Sequence, residues 1–332
     1  MLRVLAQRDF RLLWIGQGTS LLGDQFALIA MPWLVLQLTG DPLALGGVLA
    51  AAGVPRLVSM LLGGAVVDRF SPRKIMLASD ACRIFLFGLL AALTAAGAVQ
   101  LWMLYAISFL SGTVSGFFIP ASNAVVPRLV ERENLQAGNS VFQGTTSLAQ
   151  AVGPALAGGI IAWFAHLQSP SAAPSLDGIA AAFAFDTLTF VISVVTLWMM
   201  SPQPDRPGAQ GESVTGAIAA GIRYMWNDPF LRTIFLIIAV ANFVLSGPLN
   251  VGVPLLAKTR LAEGAAAYGI VISAYALGNL AGILGAGSFV RPSGRLIRTL
   301  TLVLFAGFAL CLAAFGWVHS TWIVALMMLI LG

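Results

Sequence analysis

Charged side chains are scarce in this sequence of 332 residues. Asp, Glu, Lys and Arg make up only 9% of it, whereas 58% is hydrophobic and the mean hydropathy is +0.90. Soluble domains hold about 25% charged residues. Such a chain has too little polar surface for a soluble protein of this size, which excludes a cytosolic enzyme, a secreted disulfide scaffold and a disordered chain. The composition predicts an all-α polytopic protein that crosses a lipid bilayer many times.

Cysteine and histidine are also rare. The two cysteines, Cys82 and Cys311, fall inside apolar runs, where they indicate neither a disulfide framework nor a metal site. The two histidines, His166 and His319, fall in short predicted loops. The sequence has no HExxH, Gly-x-Ser-x-Gly or phosphate-binding Gly-Lys-Ser/Thr motif. We therefore predict no enzyme, no metal, no cofactor and no ATP-driven step.

Arginine and lysine are concentrated in alternate loops. With the N-terminus in the cytoplasm, 14 of the 18 basic residues lie on the cytoplasmic side, and only Lys258 and Arg260 lie in a loop on the other side. The positive-inside rule then predicts a multi-pass protein with a cytoplasmic N-terminus, and we expect it in a bacterial-type inner membrane. Because the chain lacks a basic stripe, nucleic acid is not an expected partner.

Ten apolar stretches are long enough to cross the bilayer, each needing about 20 residues. They lie at about residues 11–38, 43–67, 74–97, 101–121, 139–166, 177–200, 230–257, 265–290, 297–317 and from 320 onward.

A long polar connection divides these spans into six and four. We predict an N-terminal six-helix half at 1–200, a cytoplasmic linker with an amphipathic segment at 201–229, and a partial C-terminal half at 230–332. The segment 64–74 after the second span has a weaker counterpart at 287–295 after the eighth. By that symmetry we expect the chain to be a fragment of a twelve-span protein, with the last span incomplete.

The loop after the second span carries a spaced motif formed by Gly64, Asp68, Arg69, Arg73 and Lys74. It resembles the signature of the major facilitator superfamily, with Ser71 where the family usually has glycine. The resemblance implies two six-helix halves that work by alternating access. It also implies that Asp68, with Arg69 and Arg73, holds the halves together at the cytoplasmic face in the outward-open state.

A second partial motif lies in the fifth span, at Gly153, Pro154, Gly158 and Gly159. It is similar to an element of the antiporters of this superfamily, although Ala157 replaces one glycine. Small residues also allow two helices to approach closely, so an ordinary tight helix contact is an equal alternative.

Longer segments narrow the resemblance to one group. The segments 8–14, 22–24, 32–34 and 123–130 look like the drug:proton antiporter-3 group, which includes macrolide and siderophore exporters. This implies a monomeric multidrug-type efflux antiporter that exchanges protons for a hydrophobic or amphiphilic small molecule. A lysophospholipid transporter or flippase of the same superfamily, and a membrane scaffold without transport, remain alternatives.

Three charged residues lie deep inside predicted spans, where each is costly unless it has a function or a partner. Asp24 and Arg56 are predicted near the same depth, close enough to pair or to line one water-filled cavity, and Asp186 lies in the sixth span. We predict that these three residues take part in proton coupling. A structural ion pair that fixes helix register is the alternative for Asp24 and Arg56, and cation attraction or a hydrogen bond to a neighbouring helix is the alternative for Asp186. Asp80 and Arg83, three residues apart, are interpreted as a local pair.

The remaining lining of a substrate cavity is expected to be aromatic or amide-bearing. Few charges and many aromatic rings suit a bulky hydrophobic or cationic cargo. The candidate residues are Gln17, Phe26, Phe142, Gln143, Asn242 and Tyr275.

Overall fold

The computed structural model describes residues 2–167, 176–202, 214–286, 299, 303, 306–307, 309–311, 313–315 and 317–332. All regular secondary structure in these residues is helical. The helices are α1 (Leu2–Leu5), α2 (Arg8–Thr39), α3 (Pro42–Arg69), α4 (Pro72–Ala95), α5 (Leu101–Leu129), α6 (Leu135–His166), α7 (Asp177–Met199), α8 (Val214–Asn227), α9 (Pro229–Gly247), α10 (Val253–Arg260), α11 (Ala265–Ala286) and α12 (Thr321–Leu331).

The turn between α2 and α3 illustrates how local chemistry sets these boundaries. Gly40 has a left-handed backbone with φ of 65°, and its amide donates to the carbonyl of Leu36, which ends α2. The Asp41 carboxylate accepts a hydrogen bond from the Leu43 amide at 2.9 Å, and Pro42 stands at the first position of α3. Three consecutive residues therefore reverse the chain.

Seven helical segments in the described part of the chain are long and apolar enough to span a membrane. They are α2, the first 23 residues of α3, α4, α5, α6 together with the short helix before it, α7, and α11 up to Gly285. The predicted all-α polytopic architecture is confirmed.

The predicted span at 230–257 is helical throughout and contains a π-helical turn. Helix α9 leads into a π-helical turn at Pro248–Gly252 and then into α10. Proline cannot donate its backbone nitrogen to the helix, so the hydrogen-bond pattern changes there. Helix α12 occupies the predicted tenth span. Most of the ninth span, the repeat at 287–295 and linker residues 203–213 lie outside the described residues.

Helices α2–α7 pack as one bundle. The largest interfaces join α3 to α5, α2 to α7 and α4 to α7, while α11 packs against α6 and α12. Close approach depends on glycine: a Cβ on Gly112 would lie 2.1 Å from the carbonyl oxygen of Ala52. We call the end of the bundle where α2, α4 and α6 begin the basic end, and the other end the opposite end.

Candidate substrate and proton site

A cavity of about 650 Å³ lies inside the bundle, and its described lining comes from α2–α6. Asp24, Arg56 and Arg83 line its deeper part, while Leu13 and Asn139 line it toward the basic end. The polar lining is mostly amide and hydroxyl. A cavity with this lining can hold a small molecule with both apolar and hydrogen-bonding surface.

A buried polar network connects the cavity to α4 and α7. The carboxylate of Asp80 lies 3.6 Å from the guanidinium of Arg83. The Ser193 hydroxyl donates to Asp80 at 2.7 Å, and the Gln17 amide nitrogen donates to that hydroxyl at 3.5 Å. Arg83 donates to the hydroxyl of Ser115 at 3.0 Å. Asp80 Oδ1 and Arg83 Nη1, the two atoms of the ion pair, make no hydrogen bond among the described residues.

Arg83 has a wider reach than its local partner. Its guanidinium lies 4.4 Å from the ring centre of Phe118 and 5.3 Å from that of Phe190. It also acts electrostatically on the carboxylates of Asp24 and Asp186. Three carboxylates on three helices therefore share one cation.

Asp186 differs from the other two carboxylates. Its side chain has no exposed surface, and neither carboxylate oxygen has a hydrogen-bond partner among the described residues. One of these oxygens lies only 2.6 Å from the position that a Cβ on Gly23 would occupy. Because Asp24, the next residue, lines the cavity, Asp186 lies directly behind the cavity wall formed by α2.

The predicted proton-coupling residues fall into two places. Asp24 and Arg56 line the same cavity, yet no ion pair within 4 Å joins them in the described structure. Asp186 is buried behind them. Arg83 was predicted only as the local partner of Asp80, because their three-residue spacing gives no sign of the contacts that Arg83 makes with α5 and α7. The only sequence signal was a cation inside an apolar run.

Some of the predicted cavity residues line the cavity and others do not. Gln17, Phe142 and Gln143 line the cavity. Phe26 does not, which corrects that prediction: its side chain is 2% exposed and its ring packs 4.2 Å from that of Phe185.

Two further predicted cavity residues belong to other helices. Asn242 on α9 and Tyr275 on α11 do not contribute to the described cavity lining. Three amide side chains that were not predicted also line the cavity, those of Gln25, Asn123 and Asn139.

The motif after the second span lies at the basic end. Arg73 donates from Nε and Nη2 to the carbonyls of Leu197 and Trp198, both at 2.7 Å, and Arg8 donates to the carbonyl of Met199 at 3.1 Å. These carbonyls belong to the last turn of α7, where few helical amides remain to donate to them and a cation is favourable, and that of Leu197 also accepts from the Met200 amide at 3.3 Å. In this conformation Arg73 therefore joins α4 to α7.

The other motif residues surround this contact. Gly64 and Asp68 lie in the last two turns of α3, Arg69 is exposed at its end, and Lys74 lies in the first turn of α4. A Cβ on Gly64 would meet open space. The side chain of Asp68 is outside the described part of the structure.

The antiporter-like motif forms a contact between distant parts of the chain. A Cβ on Gly158 would lie 2.4 Å from the carbonyl oxygen of Ala265, and the backbone of Pro154 lies against Gly269. The amide of Ala155 donates to the hydroxyl of Ser273 at 3.0 Å.

This contact lies toward the opposite end of the bundle, where α2 ends and α11 begins. Gly153 of the same motif packs closely on the side chain of Gln25 in α2. Gly159 makes no such contact, since a Cβ there would meet nothing within 4 Å. The ammonium of Lys258 on α10 donates to the carbonyl of Leu36, near the end of α2. Burial lowers the pKa of Lys258. The C-terminal helices thus close the opposite end, and the cavity extends toward the basic end.

Comparison with known proteins agrees with this architecture. The multidrug efflux pump Tap of Mycolicibacterium fortuitum is 30% identical over 310 residues, which cover 88% of this chain and 70% of Tap. The enterobactin exporter EntS of Escherichia coli O1:K1 is 27% identical over 333 residues, which cover 94% of this chain and 74% of EntS.

Solved structures show the same fold. The crystal structure of the nucleoside transporter NupG aligns with a TM-score of 0.70 at 13% identity, covering 98% of this chain and 79% of NupG. That of a D-xylose–proton symporter aligns with a TM-score of 0.66 at 17% identity, covering 97% of this chain and 78% of the symporter. At these identities the likeness concerns the fold alone.

The family comparison covers almost the whole chain. A family model described as transmembrane secretion effector matches residues 2–332. Members of this family are transporters and not enzymes, as the sequence predicted. The chain is a multi-pass membrane protein that belongs to the transmembrane secretion effector family of the major facilitator superfamily.

Proposed function

We propose that this efflux transporter exports a hydrophobic or amphiphilic small molecule in exchange for protons. The similarity to Tap and EntS, an efflux pump and an exporter, supports the direction of transport. The observation that carries the proton coupling is the carboxylate of Asp186, fully buried and without a hydrogen-bond partner among the described residues.

The physical argument concerns the charge of that carboxylate. An ionised carboxylate buried without a partner costs several kcal/mol. In this conformation Asp186 therefore holds a proton. Asp24 faces the cavity on the other side of Gly23 and exchanges protons with cavity water, while Arg83 stabilises the carboxylate left behind. A change in helix packing that brings water or Arg83 to Asp186 then releases the proton.

The proposed transport cycle needs an orientation and two moving parts. We place the basic end and the N-terminus in the cytoplasm of a bacterium, in the inner membrane, because the positive charges lie there. The cavity then faces the cytoplasm. Residues 1–200 and 230–332 are the two halves, joined by 201–229, and they rotate about the cavity within a monomer. When the cytoplasmic side closes, Asp68 and Arg69 bind across the halves.

Reconstituted vesicles test the coupling. Asp186→Asn removes the proton site while keeping shape and hydrogen-bonding capacity. We expect this variant to lose at least about 90% of transport driven by a pH gradient, because its side chain cannot carry the proton. Counterflow, in which labelled cargo exchanges for unlabelled cargo with no gradient, should continue. A siderophore and a macrolide serve as trial cargoes.

Asp177→Asn is the matched control. Asp177 lies in the first turn of the same helix and is exposed. This variant should retain gradient-driven transport. Equal gradient-driven rates for Asp186→Asn and the unmodified protein would overturn the proposed coupling, and an absence of cargo movement in the unmodified protein would overturn transport itself.

A further inference from the structure

Among the described residues that line the cavity, Arg56 is a cation without a partner. It lies in the middle of α3, after Pro55, and lines the cavity opposite Asp24. Its guanidinium makes no ion pair and no hydrogen bond with any residue in the described part of the chain. Arg83, the other cation of the cavity, is already bound to Asp80 and Ser115. A guanidinium offers five donors, so Arg56 has its full hydrogen-bonding capacity available to a cargo.

Amide side chains continue this polar surface toward the basic end. Asn123, Asn139 and Gln143 are exposed on the cavity wall, and their side chains make no hydrogen bond to another described residue. Each amide can donate two hydrogen bonds and accept two. Together with Arg56 they form a wall with more donors than acceptors. Such a wall is complementary to a cargo rich in hydroxyl, carbonyl or carboxylate oxygens.

The aromatic side chains of the cavity do not favour a cation. Two rings line it, those of Phe118 and Phe142. Arg83 already covers Phe118, and Phe142 packs edge-on against Phe10 with 5.6 Å between ring centres. Phe118 is therefore already engaged by a cation, and Phe142 alone does not make the cage of several rings that binds a cation well. The charged residues in the described lining are two arginines, Arg56 and Arg83, and one carboxylate, Asp24, so on balance the lining repels a cationic cargo.

We propose that Arg56 and the neighbouring amides select an amphiphile whose polar face is oxygen-rich and either neutral or acidic, and that they discriminate against lipophilic cations. Of the hydrophobic and cationic cargoes that the sequence suggested, this excludes the cationic one. The proposal rests on the cavity being the cargo site of the proposed efflux function. It does not depend on the proton site, because Arg56 and Asp186 belong to different helices and make no contact.

Binding to the full chain in lipid nanodiscs tests this without any gradient. Three dansyl probes share one fluorescent body and differ in the head group: a glycine carboxylate, a glucamine polyol and a quaternary ammonium. Empty nanodiscs correct for partition into lipid. We expect the carboxylate and polyol probes to bind at least about tenfold more tightly than the ammonium probe, as charge-assisted hydrogen bonds warrant.

Variants assign the preference to Arg56. Arg56→Gln should weaken the carboxylate probe about tenfold and the polyol probe less, while Arg56→Lys restores part of the carboxylate affinity. Arg11→Gln is the control, since Arg11 is exposed in the first turn of α2 and does not line the cavity. It should leave all three affinities unchanged.

The outcomes separate this proposal from proton coupling. The proposed selectivity is overturned if the ammonium probe binds most tightly, or if the carboxylate and polyol probes do not bind. It is also overturned if Arg56→Gln and the unmodified protein bind the probes with equal affinity. If the probes bind in the predicted order but the protein shows no transport driven by a pH gradient, the proton coupling is overturned and the selectivity is not.

Discussion

The charged cluster between α2, α4 and α7 and the contact between α6 and α11 are both tight helix interfaces, but they differ in chemistry. The cluster places Asp24, Asp80 and Asp186 around Arg83, all within the bundle α2–α7. The α6–α11 contact is made of backbone and small residues such as Gly158 and Gly269. It joins the N-terminal bundle to the C-terminal helices.

This difference separates two tasks. Buried charges need fixed partners, since a lost partner leaves an uncompensated charge in low dielectric. A contact between moving parts must break and re-form, and an uncharged surface does so without exposing such a charge. We therefore propose that protons bind and leave within the N-terminal bundle. The uncharged α6–α11 contact is then where the halves move to open the cavity to one side of the membrane or the other. Changes confined to either region should have separable effects.

The largest effect is expected at the α6–α11 contact. Gly158→Ala places a methyl group 2.4 Å from the carbonyl oxygen of Ala265, so the helices cannot close as they do here. We expect the initial transport rate in reconstituted vesicles to fall at least about tenfold, from an overpacking cost of about 1–3 kcal/mol.

Gly159→Ala is the matched control for this change. It adds the same methyl group one residue later, into open space. Its transport rate should stay within about twofold of the unmodified protein, the range of about 0.5 kcal/mol expected away from such features. Equal rates for the two variants would remove the α6–α11 contact from the transport cycle.

A smaller effect is expected at the charged cluster. Gly23→Ala places a methyl group 2.0 Å from the Thr189 hydroxyl oxygen and 2.6 Å from Asp186. We expect it to destabilise the bundle by about 1–3 kcal/mol, seen as a lower thermal unfolding midpoint in detergent. Adding Thr189→Ala removes the nearest obstructing atom and should restore part of the midpoint.

The control for the cluster is Gly53→Ala, whose Cβ would meet nothing within 4 Å. It should leave the midpoint unchanged or raise it, because alanine favours a helix over glycine by about 1 kcal/mol. An unchanged midpoint in Gly23→Ala would show that α2 and α7 do not approach as closely as described.

Much of the fold could be predicted from the sequence, because lipid imposes length and apolarity on each span. The position of Asp24, Arg56 and Asp186 inside spans could be predicted for the same reason, since charges there are rare. The side of α2 that faces the cavity could be predicted only in part. Gln17, Asp24 and Gln25 are spaced so that they share one face of the helix, and all three line the cavity, but the apolar residues of α2 gave no sign that Phe26 lies in the core.

Tertiary contacts set the remaining limits. The i, i+3 spacing of Asp80 and Arg83 predicted their pair correctly, but the reach of Arg83 to α2, α5 and α7 depends on how four helices assemble. The π-helical turn in the seventh span did have a sequence signal. Gly247, Pro248 and Gly252 stand within six residues, and both residue types disfavour a regular helix.

Counting protons released on cargo binding tests the central claim most directly. Purified protein in weakly buffered nanodisc suspension is mixed with saturating cargo, and a pH dye reports the protons released. We expect about one proton per bound cargo for the unmodified protein, because cargo in the cavity changes the packing of the wall in front of Asp186 and its proton then leaves through Asp24, and none for Asp186→Asn. Release of the same number of protons by Asp186→Asn, or none by the unmodified protein, would contradict it.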